Sequence, residues 1–344
     1  MKIFLCGGIC LVKVAINGFG RIGRTAFRAM LENKRIDVVG INDLTDTATL
    51  AKLLRFDSIY GRFPGTVEAD ATSFTVNGKK ILVTAERDPA KLPWKELGAE
   101  IVLESTGVFR TAEDAGKHLA AGAKKVIISA PPKDEGGMQF ILNVNTDKYD
   151  PKKDHVLSMA SCTTNCLAPI VKVLHDNLVI EQGFMTTIHA YTADQALVDS
   201  PHKDPRRARA AAINMVPTST GAAKAITAII PELKGKLDGL AVRVPTPTGS
   251  ITDFTCMVKR ETTADEINAM FKKAAQGKLA RNLEYSTDDL VSTDIVQNPH
   301  GCIFDSKLTK ANGRMVKVFG WYDNEWGYSS LLADFIDFIA KKGL

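Results

Sequence analysis

One cysteine and its surroundings have the residue types needed for nucleophilic catalysis. Cys162 belongs to the segment Ser161-Cys162-Thr163-Thr164-Asn165-Cys166, which opens a helix with apolar residues at i, i+3, i+4 and i+7. Unpaired amides and the positive dipole end at a helix start favour a thiolate, so we expect a lowered pKa for Cys162. Cys166, one turn further on, is predicted to pack as a small buried residue.

A reactive thiol needs a base, and His189 is the best candidate among the six histidines. It ends a predicted strand, whereas His118 lies on a predicted helix. The other four lie near turns or charged segments: His155, His175, His202 and His300. A lone histidine is more often structural than catalytic, so the spacing alone leaves the role of His189 open.

A glycine-rich turn, Gly18-Phe19-Gly20-Arg21-Ile22-Gly23, separates the first predicted strand from the first predicted helix. Its glycines permit a tight turn, close approach of a pyrophosphate and close packing of helix on strand. A bare glycine-rich turn would give the same pattern. However, Asp43 ends the second predicted strand about 20 residues further on. A carboxylate at this place accepts hydrogen bonds from the ribose hydroxyls and repels a 2′-phosphate. Together these residues predict NAD rather than NADP, and the alternative for Asp43 is a simple turn residue.

The arrangement of apolar segments predicts an α/β fold with two domains in 344 residues. Short buried strands alternate with helices at first, which indicates a doubly wound, parallel Rossmann domain over 12–161. Longer strands then follow, which indicates an α+β catalytic domain with a mixed or antiparallel sheet over 162–323. We expect the C-terminal helix, 324–344, to complete the first domain. The predicted strands span 12–16, 37–41, 101–103, 126–128, 183–190, 240–244, 250–258 and 315–321.

Composition limits the classes of function. The net charge of +5 is spread along the chain, so the basic pairs are read as a solvated face rather than a nucleic-acid surface. The six cysteines show no disulfide framework and no metal-ligand spacing, so no metal is expected and a reducing, cytoplasmic setting fits best. No run reaches the ~18 apolar residues of a membrane span. Residues 1–11 are read as an N-terminal extension, with export as the alternative.

Four segments resemble the signatures of phosphorylating glyceraldehyde-3-phosphate dehydrogenases, and the resemblance runs from Val12 to the C-terminus. They are the segment from Ala160 to Pro169 around Cys162, the glycine-rich turn with its flanks from Ile16 to Arg24, His202-Lys203-Asp204 with Arg209-Ala210, and Trp321-Tyr322-Asp323-Asn324-Glu325-Trp326-Gly327-Tyr328.

The resemblance implies the catalytic roles and a homotetramer. Cys162 would be the nucleophile, and His189 the base that takes the hydroxyl proton as hydride leaves a thiohemiacetal. The Cys162 amide and the imidazole would stabilise the oxyanion. Inorganic phosphate would then attack the thioester and release an acyl phosphate.

The same resemblance implies two anion sites and a cofactor path. Thr192, Asp194 and Arg243 match the pocket for the substrate phosphate, with Asp194 orienting Arg243. The residues that match the pocket for attacking phosphate are Ser161, Thr163, Arg207, Thr220 and Gly221. The NAD path is matched by Asn17 and the glycine-rich turn, and by Asn42, Asp43, Arg87, Ser105, Thr106, Gly107, Ser129, Asn324 and Tyr328.

Two residues near the chemistry depart from the family pattern. Met159 stands where asparagine is usual before Ala-Ser-Cys, and Ala193 replaces the usual asparagine after Tyr191-Thr192. Both changes remove an amide, so they bear on the hydrogen bonding around the site and on the rate.

Two other functions are alternatives to the phosphorylating activity. Erythrose-4-phosphate dehydrogenase is a sister activity, but the segment from Pro217 to Lys224 has the pattern of enzymes that use phosphate. A surface-adhesin or RNA-binding role is the alternative outside enzymes. Loss of the activity in Cys162→Ser would separate catalysis from such binding.

Overall fold

The fold is that of a computed structural model, which describes residues 11–134 and 138–344. The predicted N-terminal extension lies outside these residues except for Leu11. Two large sheets, of nine and eight strands, each carry their own apolar core, as the α/β prediction with two different halves requires.

Within residues 11–134 and 138–161, the first half contains eleven strands and four α-helices. The strands are β1 Val12–Asn17, β2 Ile36–Asn42, β3 Phe56–Asp57, β4 Gly61–Arg62, β5 Val67–Ala69, β6 Ser73–Val76, β7 Lys79–Thr84, β8 Ile101–Glu104, β9 Lys125–Ile128, β10 Met138–Gln139 and β11 Val156–Ser158. The helices are α1 Arg21–Glu32, α2 Thr47–Arg55, α3 Trp94–Leu97 and α4 Ala112–Ala120.

The nine-stranded sheet has the order β10-β11-β9-β8-β1-β2-β7-β6-β5. Its strands are parallel from β10 to β7, while β7, β6 and β5 pair antiparallel at the edge. The chain passes from β1 to β2 on one side and later returns to β8 on the other. The carboxyl end of β1 is therefore the switch point where open α/β sheets bind ligands. The antiparallel edge was absent from the sequence prediction because β5 and β6 have only three and four residues, too few to show a clear pattern.

The second half contains eight strands and four helices. The strands are β12 Ile180–Ala190, β13 Val216–Ser219, β14 Leu237–Val244, β15 Ser250–Val258, β16 Leu283–Ser286, β17 Cys302–Asp305, β18 Lys310–Asn312 and β19 Met315–Tyr322. The helices are α5 Cys162–Leu178, α6 Ala222–Ile229, α7 Ala264–Ala275 and α8 Trp326–Lys342.

The eight-stranded sheet is mixed, in the order β13-β14-β12-β15-β19-β17-β16, with β18 paired to β19. β12 is parallel to β14 and antiparallel to β15. Residues of β15 alternate strictly between buried and partly exposed positions, because one face packs on the core. The sequence prediction placed this strand at the same bounds, 250–258.

The last helix, α8, packs on the first half of the chain. Its apolar residues join the core of the nine-stranded sheet, and its Ser329 hydroxyl lies 2.7 Å from that of Thr25 on α1. Helix α5 packs into the other core instead. Cys162, at the first turn of α5, contacts both cores and so lies at their junction.

Two glycines of the glycine-rich turn have different roles: Gly23 serves packing and Gly20 leaves space for a ligand. A Cβ on Gly23 would lie 2.1 Å from the Gly18 carbonyl oxygen, whereas a Cβ on Gly20 would meet no atom within 4 Å. We expect Gly23→Ala to lower the unfolding free energy by about 1–3 kcal/mol. Gly20→Ala should leave the melting temperature unchanged but raise the Kd of NAD, because its methyl group enters the ligand space. Thermal melts and NAD titrations of both variants test this, and equal destabilisation by both would contradict it.

Candidate active site

Cys162 is the first residue of α5, and local hydrogen bonds fix the chain just before it. The Ser161 hydroxyl accepts from the Thr164 amide at 3.0 Å and caps the helix. Ala160 has a φ of 54°, a conformation that strains a residue with a side chain. The carbonyl of Ala160 accepts a hydrogen bond from the Tyr328 hydroxyl of α8 at 3.1 Å. The helix start, and with it the thiol, is therefore held from both halves of the chain.

His189 lies beside the thiol, as the sequence predicted. Its Nε2 is 3.5 Å from Cys162 Sγ, and its Nδ1 is 2.6 Å from the Ala190 carbonyl oxygen. Because that carbonyl can only accept, it holds the imidazole proton on Nδ1. The lone pair of Nε2 then faces the sulfur, which is the orientation a general base requires.

The strand register brings Arg243 next to His189. β12 and β14 run parallel with His189 opposite Arg243. The Arg243 Nη1 group donates to the Ala190 carbonyl at 3.1 Å and to the Thr192 hydroxyl at 3.2 Å, and it lies 3.1 Å from His189 Nδ1. A guanidinium held by neutral groups keeps its charge available to an anion.

Burial, rather than the helix dipole, dominates the titration of the catalytic pair. It raises the pKa of the Cys162 thiol to about 11, although the Arg243 cation and hydrogen bonds from Thr163 oppose the shift. Burial, together with the nearby Arg243 charge, lowers the pKa of His189 to about 3. The expectation of a lowered thiol pKa is therefore wrong for the unliganded protein, because desolvation of the anion outweighs the donors at the helix start.

The carboxylate of Asp194 pairs with a different arginine from the one expected. It forms a salt bridge with Arg207 rather than orienting Arg243. Arg207 also donates from Nε to the Thr218 hydroxyl at 2.9 Å and from Nη2 to the Ser219 carbonyl at 3.2 Å. The end of β13 and Asp194 thus fix Arg207, while Arg243 depends on the end of β12.

A pocket of about 620 Å³ brings most of the predicted catalytic and anion-binding residues together. Predicted residues that line it are Cys162, His189, Ser161, Thr192, Asp194, Arg207, Arg243, Arg21, Ile22, Gly107, Ser129, Asn324 and Tyr328. Three residues predicted for attacking phosphate are not in its lining. Thr163 is buried, and its hydroxyl lies 2.9 Å from that of Tyr322. The Thr220 hydroxyl accepts a hydrogen bond from the Ala222 amide. Gly221 is the N-cap of α6.

A second pocket, of about 410 Å³, lies at the switch point of the nine-stranded sheet. Predicted cofactor residues that line it are Asn17, Gly18, Gly20, Asn42, Asp43, Arg87, Ser105 and Thr106. The open space at Gly20 fits a pyrophosphate. Asp43 accepts from the amides of Phe19 at 2.7 Å and Thr45 at 2.9 Å, and each oxygen keeps a lone pair for a ribose hydroxyl. The Phe19 ring itself is buried, and Gly23 serves packing.

The Asn324 carboxamide is oriented by hydroxyl groups behind it. Its Oδ1 accepts from Ser250 at 3.0 Å and from Thr248 at 3.4 Å, so its NH2 group is directed towards a ligand. The preceding Asp323 accepts from the Tyr60 hydroxyl at 2.8 Å and from the amides of Glu325 and Trp326. This arrangement suits a nicotinamide carboxamide beside Cys162.

The two departures from the family pattern lie in different surroundings. Met159 is fully buried in the core of the nine-stranded sheet, and its carbonyl accepts from Asn165 at 2.7 Å. Ala193 is exposed and lines the active-site pocket. Met159 therefore affects the packing of the core next to the active site, whereas Ala193 affects the lining of the active-site pocket.

Several supporting residues were not predicted. Tyr322 and Asp323 fall within the C-terminal signature, but nothing in their spacing showed that they hold Thr163 and the start of α8. Ser250 gave no signal at all, although its hydroxyl joins the Ala190 amide to Asn324. Arg110 and Lys203 add two cations to the pocket.

Residues 11–134 and 138–344 contain neither a candidate membrane-spanning helix nor a candidate metal cluster. No helix there is long and apolar enough to cross a membrane. No group of three or more histidine, cysteine, aspartate or glutamate residues there could hold a metal ion.

Comparisons with known proteins agree along the chain. A family model described as glyceraldehyde 3-phosphate dehydrogenase, NAD binding domain, matches residues 12–112, and one described as the C-terminal domain of the same enzyme matches residues 161–324. Glyceraldehyde-3-phosphate dehydrogenase 2 of Streptomyces avermitilis is 56% identical over 96% of this chain and 99% of its own. The enzymes of Geobacillus stearothermophilus and Mycobacterium bovis are 55% and 56% identical over 97% and 96% of this chain, and 99% of theirs.

Removal of the Arg243 charge should make the thiol less reactive. The cation favours the thiolate, so Arg243→Gln raises the pKa of Cys162 further and lowers the thiolate fraction at pH 8. We expect iodoacetamide to alkylate Cys162 about tenfold more slowly, which corresponds to about one pKa unit. Arg110→Gln, in the same pocket, is the matched control and should alkylate at the wild-type rate. Equal rates in Arg243→Gln and the wild type would show that this charge does not act on the thiol.

Proposed function

The chain belongs to the glyceraldehyde-3-phosphate dehydrogenase family and is an NAD-dependent oxidoreductase, and on that premise we propose its substrates and residue roles. It oxidises D-glyceraldehyde 3-phosphate with NAD and inorganic phosphate to 1,3-bisphosphoglycerate and NADH, as a step of glycolysis. The observation that carries this proposal is the Cys162–His189 pair, 3.5 Å apart in a pocket that also contains Arg207 and Arg243. The names of the relatives give no support to erythrose 4-phosphate or to a surface or RNA-binding role.

Cys162 and His189 perform the covalent steps. His189 Nε2 takes the thiol proton as the sulfur attacks the aldehyde carbon and returns it to the former carbonyl oxygen, which gives a thiohemiacetal. His189 Nε2 then takes the hydroxyl proton as hydride leaves and the thioester forms. Bound NAD supplies the hydride acceptor. A phosphate oxygen then attacks the acyl carbon, the carbon–sulfur bond breaks, and Cys162 is regenerated. The amide at the start of α5 stabilises the oxyanion.

The two arginines divide the anions between them. Arg243 and Thr192 hold the phosphate of the substrate, and Arg207 holds the attacking phosphate with Ser161. The attacking phosphate would be reached by the backbone amides of Thr163, Thr220 and Gly221, or by these residues after a local rearrangement. Asp194 sets the direction of Arg207 through their salt bridge.

Residues of both pockets would hold the cofactor. Asp43 and Arg87 would hold its adenosine end, Gly20 would leave room for its pyrophosphate, and Asn324 would hold its nicotinamide. The division into a Rossmann domain over 12–161 and a catalytic domain over 162–323 is supported by the two family models. We place the enzyme in the cytoplasm.

A homotetramer would cover an otherwise exposed apolar surface. Phe184 on β12 and four large apolar residues of the segment that follows this strand are more than two-thirds exposed: Leu197, Val198, Ile213 and Met215. Large exposed apolar side chains concentrated in one part of the chain suit an association surface.

Turnover should require inorganic phosphate and the Cys162 thiol. Without phosphate, NADH formation should stop after about one equivalent per site, because the thioester accumulates. Cys162→Ser should lower kcat by about a thousandfold or more. Arg207→Ala should raise the KM of phosphate about tenfold, whereas Arg209→Ala, on the same loop, should not. Sustained turnover without phosphate would contradict the phosphate site and favour the erythrose-4-phosphate alternative.

Light scattering should give four times the monomer mass for the purified protein. Ile213→Asp should shift it to smaller species, since a carboxylate cannot be buried without a partner. Val291→Asp changes an exposed residue outside that segment and serves as the control. A monomeric wild-type protein would refute the tetramer.

A further inference from the structure

Four polar or aromatic residues form a buried cluster behind the pocket at the switch point. Glu104, His118, Trp94 and Asn17 are each at most 2% exposed. They come from the ends of β8 and β1 and from helices α4 and α3. The mechanism uses neither Glu104 nor His118. A buried carboxylate is costly unless several donors satisfy it, so such a cluster calls for a reason.

The hydrogen bonds fix one orientation for every member of the cluster. Trp94 Nε1 can only donate, and it lies 2.9 Å from His118 Nδ1, which must therefore accept. The imidazole proton then lies on Nε2 and donates to Glu104 Oε2 at 3.1 Å. Asn17 Nδ2 donates to the same oxygen at 2.6 Å. The other end of that amide, Asn17 Oδ1, accepts from Asn42 Nδ2 at 2.7 Å.

The second oxygen of Glu104 holds the loop after β8. Glu104 Oε1 accepts from the Thr106 amide at 2.8 Å and from the Thr106 hydroxyl at 2.5 Å. That hydroxyl in turn accepts from the Val108 amide at 3.1 Å. Asn17, Asn42, Thr106 and Val108 all line the pocket of about 410 Å³. A single carboxylate therefore fixes residues of that pocket on both sides of the switch point.

We propose that Glu104 and His118 are positioning residues for NAD: they hold Asn17 and Thr106 in the arrangement that binds the adenosine half of the cofactor. The inference rests on the proposed cofactor path. His118 acts through Glu104, and Glu104 acts through the side chains and amides that face the ligand. Neither residue contacts the reacting atoms, so the effect falls on NAD affinity and not on the chemical step.

Two substitutions of His118 separate positioning from packing. His118→Gln places an amide NH2 near the Nε2 position, so it keeps the donor to Glu104 and loses the acceptor for Trp94. His118→Asn places an amide oxygen near the Nδ1 position, so it keeps the acceptor for Trp94 and loses the donor to Glu104. Glu104→Gln goes further, because one of its two ends must present a donor to groups that themselves donate.

The experiment measures the Kd of NAD by calorimetry, the KM of NAD, kcat and the melting temperature on the intact enzyme. Glu104→Gln should raise the Kd and KM of NAD about tenfold and leave kcat within about twofold. His118→Asn should raise them about three- to fivefold, whereas His118→Gln should leave them near wild type. Trp94→Phe should lower the melting temperature without changing NAD binding. If Glu104→Gln does not fold, Thr106→Val removes one donor on the exposed side, and it should raise the Kd where Thr106→Ser does not.

The outcomes distinguish failure of the positioning role from failure of the proposed cofactor path. If the His118 and Glu104 variants lower the melting temperature but bind NAD as the wild type does, the cluster is structural and the positioning role is wrong. The same holds if kcat falls while the KM of NAD stays constant. If Gly20→Ala also binds NAD normally, the proposed cofactor path itself fails, whatever the cluster variants show.

Discussion

Cys162 at the start of α5 must lie next to His189 at the end of β12, and this requirement constrains both halves of the chain. Cys162 packs against the cores of both sheets, so neither core can shift without moving the sulfur. The strained Ala160 backbone is held by Tyr328, which belongs to the last helix and to the first core. Long-range packing thus maintains a local geometry that the segment around Cys162 would not adopt by itself.

Charge in the active-site pocket is distributed so that Arg243, beside the catalytic pair, remains available for a ligand. Asp194 pairs with Arg207, and Glu325 and Asp57 pair with Arg21. Arg243 Nη1 donates to a carbonyl and a hydroxyl, and the neutral imidazole of His189 lies beside it. The same charge lowers the pKa of both His189 and Cys162, while burial disfavours the ionised form of each. The unliganded pair is therefore a neutral thiol beside a neutral base at physiological pH.

Buried carboxylates organise the loops that face the ligands. Glu104 joins the ends of β1 and β8. Asp323 joins the start of α8 to Tyr60 from the first half and to the Gln297 amide. Each carboxylate accepts several hydrogen bonds from short loops. Such charge-assisted hydrogen bonds hold a loop backbone that lacks the regular hydrogen bonds of a helix or sheet. The geometry at both ends of the cofactor path then depends on groups that do not themselves reach the pocket.

The sequence alone determined the main elements of both halves and, through its resemblance to a known family, the chemistry, because these depend on local patterns. The glycine spacing, the apolar runs of the longer strands and the segment around Cys162 are each recognisable within a few residues, and the C-terminal signature located Asn324. The antiparallel edge of the first sheet, the pairing of Asp194 with Arg207 and the register of His189 with Arg243 were decided only by tertiary structure. The net direction of the thiol pKa belongs to the same group, since desolvation depends on everything that surrounds the sulfur. Distances, partners and burial arise from packing between residues far apart in the chain, and no local pattern encodes them.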